Sequence, residues 1–104
     1  MDYNEIVALG LALPDVREAM SYGTPSLKRN GRFMLRLKED GEDLAVKLDW
    51  PTHDQLLADS PDVFYKTPHY EGHSALLARL ALLQPVAAKA LVKAAWEVAV
   101  PRKR

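Results

Sequence analysis

The side chains with the most chemical potential lie in one short segment, Thr67–Ser74, with the sequence TPHYEGHS. This segment, the Thr67–Ser74 loop, holds two of the three histidines, a tyrosine and a carboxylate between two apolar runs. Histidine exchanges protons readily near neutral pH, so His69 is a candidate acid or base. Because loops held by ordered flanks commonly carry binding and catalytic residues, this loop is the first candidate site.

A small-ligand or enzymatic site would form here if the first strand of the sheet lies near the fifth. Its members would be Tyr22, Lys66, His69 and Tyr70, with Glu71 and His73 beside them. The serines lack the G-x-S-x-G setting of a hydrolase nucleophile, and no glycine-rich phosphate loop is present. An alternative interpretation is that the loop histidine and the tyrosines hydrogen-bond backbone groups and fix the turn.

A metal site has weaker support in the same loop. His69 and His73 share the i, i+4 spacing of a helical zinc pair, but Pro68 and Gly72 predict a loop, and the H-E-x-x-H glutamate is absent. The chain contains no cysteine, which excludes disulfides, thiolate nucleophiles and thiolate metal ligands. We therefore predict no metal and no cofactor.

Basic side chains form a second candidate site on two predicted hairpins. They are Lys28, Arg29, Arg32, Arg36, Lys38 and Lys47. Strand alternation predicts that Arg32, Arg36, Lys38 and Lys47 share one side of the sheet, joined by Lys28 or Arg29 according to register. Such a positive stripe can follow a phosphate backbone. The alternative is a solvated sheet face whose cations discourage edge pairing.

Two helices and six strands are predicted to position these groups, with a short helix between the fourth and fifth strands. Asp2 and Glu5 begin a helix that runs to Leu13, and its buried Gly10 predicts close approach to another helix. The first strand covers 16–22, and the next two are the arms of a hairpin that turns at Asn30-Gly31. The fourth strand follows a turn at 39–43, and the last two strands cover 63–66 and 75–82. The short helix covers 51–58, with Thr52 and Gln55 as a capping box, and the last helix runs from Pro85 to about Val100, before a basic tail at 101–104. The fold class is therefore α+β, an antiparallel sheet built from hairpins with N- and C-terminal helices packed on one face.

Composition limits the classes of protein that this chain can belong to. At 104 residues, with 48% hydrophobic and 27% charged side chains, it is expected to form one domain over residues 1–104. Its net charge is zero, so nucleic-acid binding would require its 14 basic residues to gather on one surface. Asp2 and Glu5 do not resemble a secretory signal, and the apolar runs are too short to span a bilayer. We expect a cytoplasmic monomer.

The segment Asp62–Tyr70, with the sequence DVFYKTPHY, resembles the YjbR/MmcQ family of small bacterial proteins. The resemblance extends to the Arg79-Leu80 pair, to Ala12-Leu13-Pro14 and to the segment SYGTP at 21–25. His73-Ser74 departs from the family pattern. The resemblance implies a frataxin/CyaY-like fold and DNA binding through a double-wing motif. The wings would be the two hairpins, and their phosphate contacts would be Lys28, Arg29, Arg32, Arg36, Lys38 and Lys47.

The sequence thus predicts a nucleic-acid-binding protein, most simply a DNA-binding one, that contacts phosphates from a basic hairpin face, largely without regard to base sequence. A ligand-binding or enzymatic site around the Thr67–Ser74 loop is the alternative, and a protein-interaction domain is a third. The iron binding of frataxin-like folds is discounted, because the first helix offers only Asp2 and Glu5 as acidic residues.

Overall fold

A computed structural model describes residues 1–100, and its element order is the predicted one. The helices are α1 (Tyr3–Leu11), α2 (Trp50–Asp59) and α3 (Pro85–Val98). The strands are β1 (Val16–Ser21), β2 (Thr24–Arg29), β3 (Arg32–Leu37), β4 (Asp43–Lys47), β5 (Phe64–Tyr65) and β6 (Ala75–Arg79). Short 3₁₀ turns cover Pro68–Tyr70 and Leu80–Leu82. The basic tail predicted at 101–104 lies outside the described residues.

The six strands form one antiparallel sheet in the order β1-β2-β3-β4-β6-β5, which confirms the α+β prediction. Asn30 and Gly31 both have positive φ angles, 49° and 79°, as the predicted type I′ hairpin requires. Leu27, Leu35 and Val46 are aligned across neighbouring strands and pack into the core with the buried residues of α1 and α3. We call this side the helix face.

The opposite side of the sheet, the open face, is marked by Ser26, Arg36, Ala45, Leu77 and Tyr65. These residues pair across the strands and lie outside the core cluster. Ala45 and Leu77 are nevertheless buried. The candidate functional residues therefore have to be assigned to one of two chemically different faces.

A β-bulge in β3 decides that assignment. Leu35 pairs with Leu27 but Phe33 pairs with Lys28, so Met34 is an extra residue without a partner. Met34 and Leu35 are both buried in the core, and the alternation reverses before them. The sequence prediction placed Phe33 with Leu35 and Arg32 with Arg36. It is wrong for both residues, because a bulge shifts the period of two by one residue.

α1 begins as predicted, with a capping box in which Asp2 and Glu5 each accept from the other's backbone N–H. Gly10, however, faces the sheet rather than another helix. A Cβ on Gly10 would clash with Leu27 Cδ1 and lie 3.7 Å from Val16 Cγ1. The glycine thus lets α1 approach β1 and β2 closely.

Replacing Gly10 with valine should therefore destabilise the fold. We expect Gly10→Val to lower the free energy of unfolding by about 2 kcal/mol, because overpacking a buried contact costs roughly 1–3 kcal/mol. Urea denaturation measures the change. Ala8→Val, on the exposed side of the same helix, is the matched control and should cost only a few tenths of a kcal/mol. Equal losses in both variants would contradict the close approach.

The other two helices differ from prediction at their ends. The N-cap of α2 is Asp49 rather than Thr52, and its side chain accepts from the Thr52 N–H at 2.8 Å. Hydrogen bonds from Thr52 hold the pKa of the Asp49 carboxyl below its usual value. α3 begins with Pro85 as predicted but ends at Val98 rather than about Val100, and Val86 in its first turn is exposed. No helix in residues 1–100 has the length and hydropathy needed to cross a bilayer.

The hydroxyl of Tyr3 makes the fold sensitive to alkaline pH. It is buried without a hydrogen-bond partner among the described residues, and burial, with a smaller effect of Glu18, raises the pKa of Tyr3 to about 12. The folded state therefore favours the neutral phenol. The stability that the folded state gains from keeping Tyr3 neutral is fully present below pH 10.0, the usual pKa of tyrosine. It is lost as the pH rises towards 12.

We accordingly expect Tyr3→Phe to leave stability at pH 7 unchanged or slightly raised, because it removes a buried hydroxyl without a partner. Between pH 10 and 12 the wild type should lose about 1–2 kcal/mol more than the variant, with allowance for the partial exposure of Tyr3. Denaturant unfolding at a series of pH values measures both effects. An equally steep decline in the two proteins would refute this role of Tyr3.

Candidate functional site

The Thr67–Ser74 loop is anchored by Lys66, which stands directly before it. Lys66 Nζ donates to the backbone oxygens of His73, at 2.5 Å, and Ala75, at 2.9 Å, and so bridges the two ends of the loop. The ammonium lies 5.7 Å from the Trp50 ring centroid. Burial lowers the pKa of Lys66, although Glu71 and Asp54 oppose this shift. Lys66, predicted in the ligand site, instead holds the loop in place.

The loop folds over the open face and closes one side of a cleft of about 250 Å³. The cleft is lined by Tyr22, Phe33, Arg36, Ala45, Lys47, His69, Tyr70, His73, Ser74 and Ala75. Tyr22, His69 and Tyr70 therefore line one cleft, but the predicted reason is wrong: β1 and β5 are the two opposite edge strands, and the loop reaches the Tyr22 side by folding back over the sheet. Arg36 and Lys47, predicted as phosphate contacts on the hairpins, line the same cleft. The structure thus merges parts of two sites that the sequence kept separate.

Arg36 lies at the base of this cleft and is only 7% exposed. Its Nη2 donates to Tyr70 Oη at 2.9 Å, and its Nη1 donates to Thr24 Oγ1 at 3.2 Å and forms an ion pair with Glu39 at 3.4 Å. Burial tends to lower the pKa of Arg36, but the contacts with Tyr70 and Glu39 outweigh it and raise the pKa. Arg36 is therefore a fixed, buried positive charge.

The guanidinium of Arg36 has N–H donors that form no hydrogen bond within the described residues. It carries five N–H groups. Within residues 1–100, its hydrogen bonds run only from Nη1 and from one hydrogen of Nη2, which leaves Nε and the second Nη2 hydrogen without a protein acceptor. A planar fork of this kind suits carboxylate or phosphate oxygens. The base of the cleft can thus accept an anion without breaking the contact with Tyr70.

Tyr22 stands at the rim in an unfavourable conformation. It has φ 56° in a two-residue turn with Gly23, φ 83°, between β1 and β2. This turn normally takes asparagine or glycine first, because bulky side chains disfavour positive φ. The ring packs edge-on against Phe33 at 6.3 Å, lies 5.4 Å from the Arg36 guanidinium, and leaves the residue 81% exposed. An aromatic side chain is therefore presented to solvent at a strained position beside a cation.

The charge of the lining is one-sided. Arg36 and Lys47 are basic side chains, His69 and His73 add imidazole rings, and no lining residue is acidic, although Glu39 contacts Arg36 from outside the lining. His69 packs edge-on against Tyr70 at 5.2 Å. Among the described residues no group of three or more potential ligands is placed to hold a metal ion. The cleft is therefore suited to an anion rather than a cation.

The remaining basic residues divide between the two faces. Arg29 lies on the helix face, 3.7 Å from the Trp96 ring centroid, and its Nη1 donates to the Trp96 carbonyl at 3.0 Å. Arg32 pairs with Arg29 and so shares that face. Lys28 pairs with Phe33 on the open face. The prediction of a single basic side is therefore wrong for Arg32, and Lys28 rather than Arg29 joins the open face.

Two cations on the open face lie beside Tyr65 in β5, the edge strand opposite β1. Lys38 Nζ lies 5.8 Å, and the Arg79 guanidinium 4.2 Å, from the centroid of Tyr65, whose hydroxyl donates to Asp43. Burial and the contact with Asp43 raise the pKa of Tyr65. Neither cation lines the cleft. Sequence reasoning missed Phe33, Ala45 and Ala75 as cleft residues, and it missed Phe33 because a bulge leaves no mark in the alternation of apolar residues.

Comparison with known proteins adds bacterial relatives but no activity. No family model matches the chain. Over 48 residues it is 38% identical to the uncharacterized protein Rv2570 of Mycobacterium tuberculosis and to the uncharacterized protein Mb2600 of Mycobacterium bovis. The match covers 46% of this chain and 37% of the length of each relative. No solved structure matches. Inference about function therefore depends on the chemistry of the cleft.

Proposed function

We propose that this protein binds a small anionic ligand in the cleft between the Thr67–Ser74 loop and the open face of the sheet. The observation that carries the proposal is Arg36, which is almost completely buried at the base of a lining without acidic residues, keeps N–H donors without a protein acceptor, and has only the mostly exposed Glu39 as an ion-pair partner. Burying a cation is costly unless it is well paired, and Glu39 is an exposed partner whose attraction for Arg36 is screened by solvent. A bound carboxylate or phosphate would supply the missing acceptors.

Lys47 and the two histidines support the same ligand chemistry. Lys47 is exposed at the edge of the cleft and adds a second positive charge, while His69 and His73 add donors on the loop side. Charges of one sign in a concave site concentrate oppositely charged ligands. The volume of about 250 Å³ suits a ligand smaller than most drug molecules.

A matched pair of small molecules tests this function. Glycerol 3-phosphate should shift the backbone amide signals of Ala45, Lys47, His73 and Ala75 in a nuclear magnetic resonance titration, whereas glycerol should not. Amides of α1, on the other side of the sheet, serve as the internal control. If glycerol 3-phosphate at millimolar concentration moves none of the cleft signals, the proposed function is wrong.

Nucleic-acid binding is the second candidate, and a specific observation favours it. Lys28, Lys38 and Lys47 lie on the open face together with Arg79, so part of the predicted basic stripe survives without Arg29 and Arg32. The resemblance to the YjbR/MmcQ family points to DNA. Phosphate contacts would then extend beyond the cleft, to Lys28 beside Phe33 and to Lys38 near Tyr65.

Salt dependence and charge reversal distinguish this candidate from small-ligand binding. For three lysine–phosphate contacts, the logarithm of affinity for duplex DNA should fall with the logarithm of salt concentration at a slope of about −3. Lys28→Glu and Lys38→Glu should weaken this binding but leave binding of glycerol 3-phosphate unchanged. Arg32→Glu, on the helix face, is the control. Absence of DNA binding at about 50 mM salt would exclude the phosphate-contact model.

A further inference from the structure

We infer that the ligand of the cleft joins its anionic group to a planar aromatic ring, as a nucleoside monophosphate does. This inference rests on the proposed function and names the class of ligand. It is carried by Tyr22, whose conformation and exposure the fold does not need. The ring would be held at the rim by Tyr22 and Phe33, and the anion at the base by Arg36.

The backbone of Tyr22 is the first step in this argument. Its positive φ of 56° is a conformation that a bulky side chain adopts only at a cost, and asparagine would occupy the same turn without strain. Strained residues of this kind concentrate at functional sites, because selection for stability alone would remove them. The structure thus retains tyrosine where local chemistry favours asparagine.

The exposure of the Tyr22 ring is the second step. The residue is 81% exposed, so its side chain contributes little buried area to the fold. The Arg36 guanidinium lies over the ring at 5.4 Å, and the high exposure of the residue shows that much of its surface stays open beside the cleft. Aromatic side chains stack on planar ligand rings, and they bind nucleobases with little preference for which base it is. Phe33, on the neighbouring strand surface, lines the same wall.

The distance between the ring and the cation is the third step. The Arg36 guanidinium carbon lies 5.4 Å from the Tyr22 ring centroid, so one compact molecule can contact both residues. A free phosphate would use Arg36 alone, and a neutral aromatic molecule would use Tyr22 and Phe33 alone. A phosphate attached to a base through a sugar can engage both parts of the cleft.

Calorimetric titration with three probes tests the inference: adenosine 5′-monophosphate, ribose 5-phosphate, which lacks the base, and adenosine, which lacks the phosphate. We expect adenosine 5′-monophosphate to bind at least about tenfold more tightly than either fragment, given the usual contribution of stacking on an aromatic side chain. Tyr22→Asn should reduce its affinity to that of ribose 5-phosphate without changing the affinity for ribose 5-phosphate. Tyr22→Phe, which keeps the ring, should bind like the wild type.

The outcomes separate this inference from the function on which it rests. Equal affinities for adenosine 5′-monophosphate and ribose 5-phosphate would overturn the aromatic requirement and leave anion binding intact. Absence of binding by every probe would overturn both. Equal affinities for adenosine and adenosine 5′-monophosphate would overturn the joint recognition. The melting temperature of Tyr22→Asn should be unchanged or higher, and a fall of more than about 4 °C would indicate that the ring serves the fold instead.

Discussion

Replacing Arg36 with methionine should lower the affinity for glycerol 3-phosphate at least about tenfold, because a hydrogen bond to a charged group contributes roughly 1.5–3 kcal/mol. The stability of the protein should change much less. Glu39, the ion-pair partner of Arg36, is 67% exposed, so the substitution leaves no buried charge without a partner. We therefore expect the free energy of unfolding to stay within about 1 kcal/mol of the wild type. The small remaining cost comes from losing the hydrogen bonds that Arg36 donates to Tyr70 and Thr24.

Calorimetric titration and urea denaturation measure the two effects separately. Arg36→Lys is the informative companion variant, because it keeps the charge but loses the planar fork, and it should retain part of the affinity. Tyr70→Phe combined with Arg36→Met removes the hydroxyl left without its donor and should recover stability. A large loss of stability in Arg36→Met with unchanged affinity would make Arg36 a structural residue and remove the main support for the proposed function.

Replacing Arg29 with alanine should have the opposite signature, a large loss of stability with no effect on binding. Arg29 donates to the carbonyl of Trp96 in the last turn of α3, a turn that contains no basic residue of its own. The last carbonyls of a helix have no partner within the helix, and a cation there also interacts favourably with the helix dipole. The guanidinium also stacks on the Trp96 ring at 3.7 Å. Arg29 thus caps α3 from the sheet.

We expect Arg29→Ala to lower the free energy of unfolding by about 2–3 kcal/mol, from the charged hydrogen bond and the partly desolvated cation–π contact together. Arg32→Ala is the matched control. Arg32 lies opposite Arg29 in the hairpin but is exposed, so its loss should cost less than about 0.5 kcal/mol. Chemical denaturation compares the two. If Arg29→Ala is as stable as Arg32→Ala, the capping role is wrong.

Arg36 and Arg29 illustrate how much of the site could be predicted from the sequence. Both were predicted as phosphate contacts on one basic face, and the residue types were a sound reason to single them out. The structure assigns one to the base of a cleft and the other to a helix end. Cation chemistry is visible in a sequence, but the neighbours of a cation depend on strand register and helix packing.

Local signals predicted most of the elements correctly. Asn30-Gly31 specifies its hairpin because both residues accept positive φ, and Asp2 with Glu5 begins α1 because their side chains satisfy free backbone N–H groups. Alternating apolar residues predicted β4, and Pro85 predicted the start of α3. These features depend on interactions between residues close in sequence, which is why the sequence alone determined them and the α+β class.

Tertiary structure alone decided which chemical groups meet. The bulge at Met34 moves Phe33 to the open face and Arg32 to the helix face, and no local pattern records it because both arrangements satisfy the apolar content of β3. The pairing of β6 with β4 brings the Thr67–Ser74 loop over Arg36, and the β1–β2 turn brings Tyr22 to the same cleft. Contacts between residues tens of positions apart depend on the whole sheet. The sequence therefore determined the elements and the reactive residue types, while the sheet determined the cleft that they form.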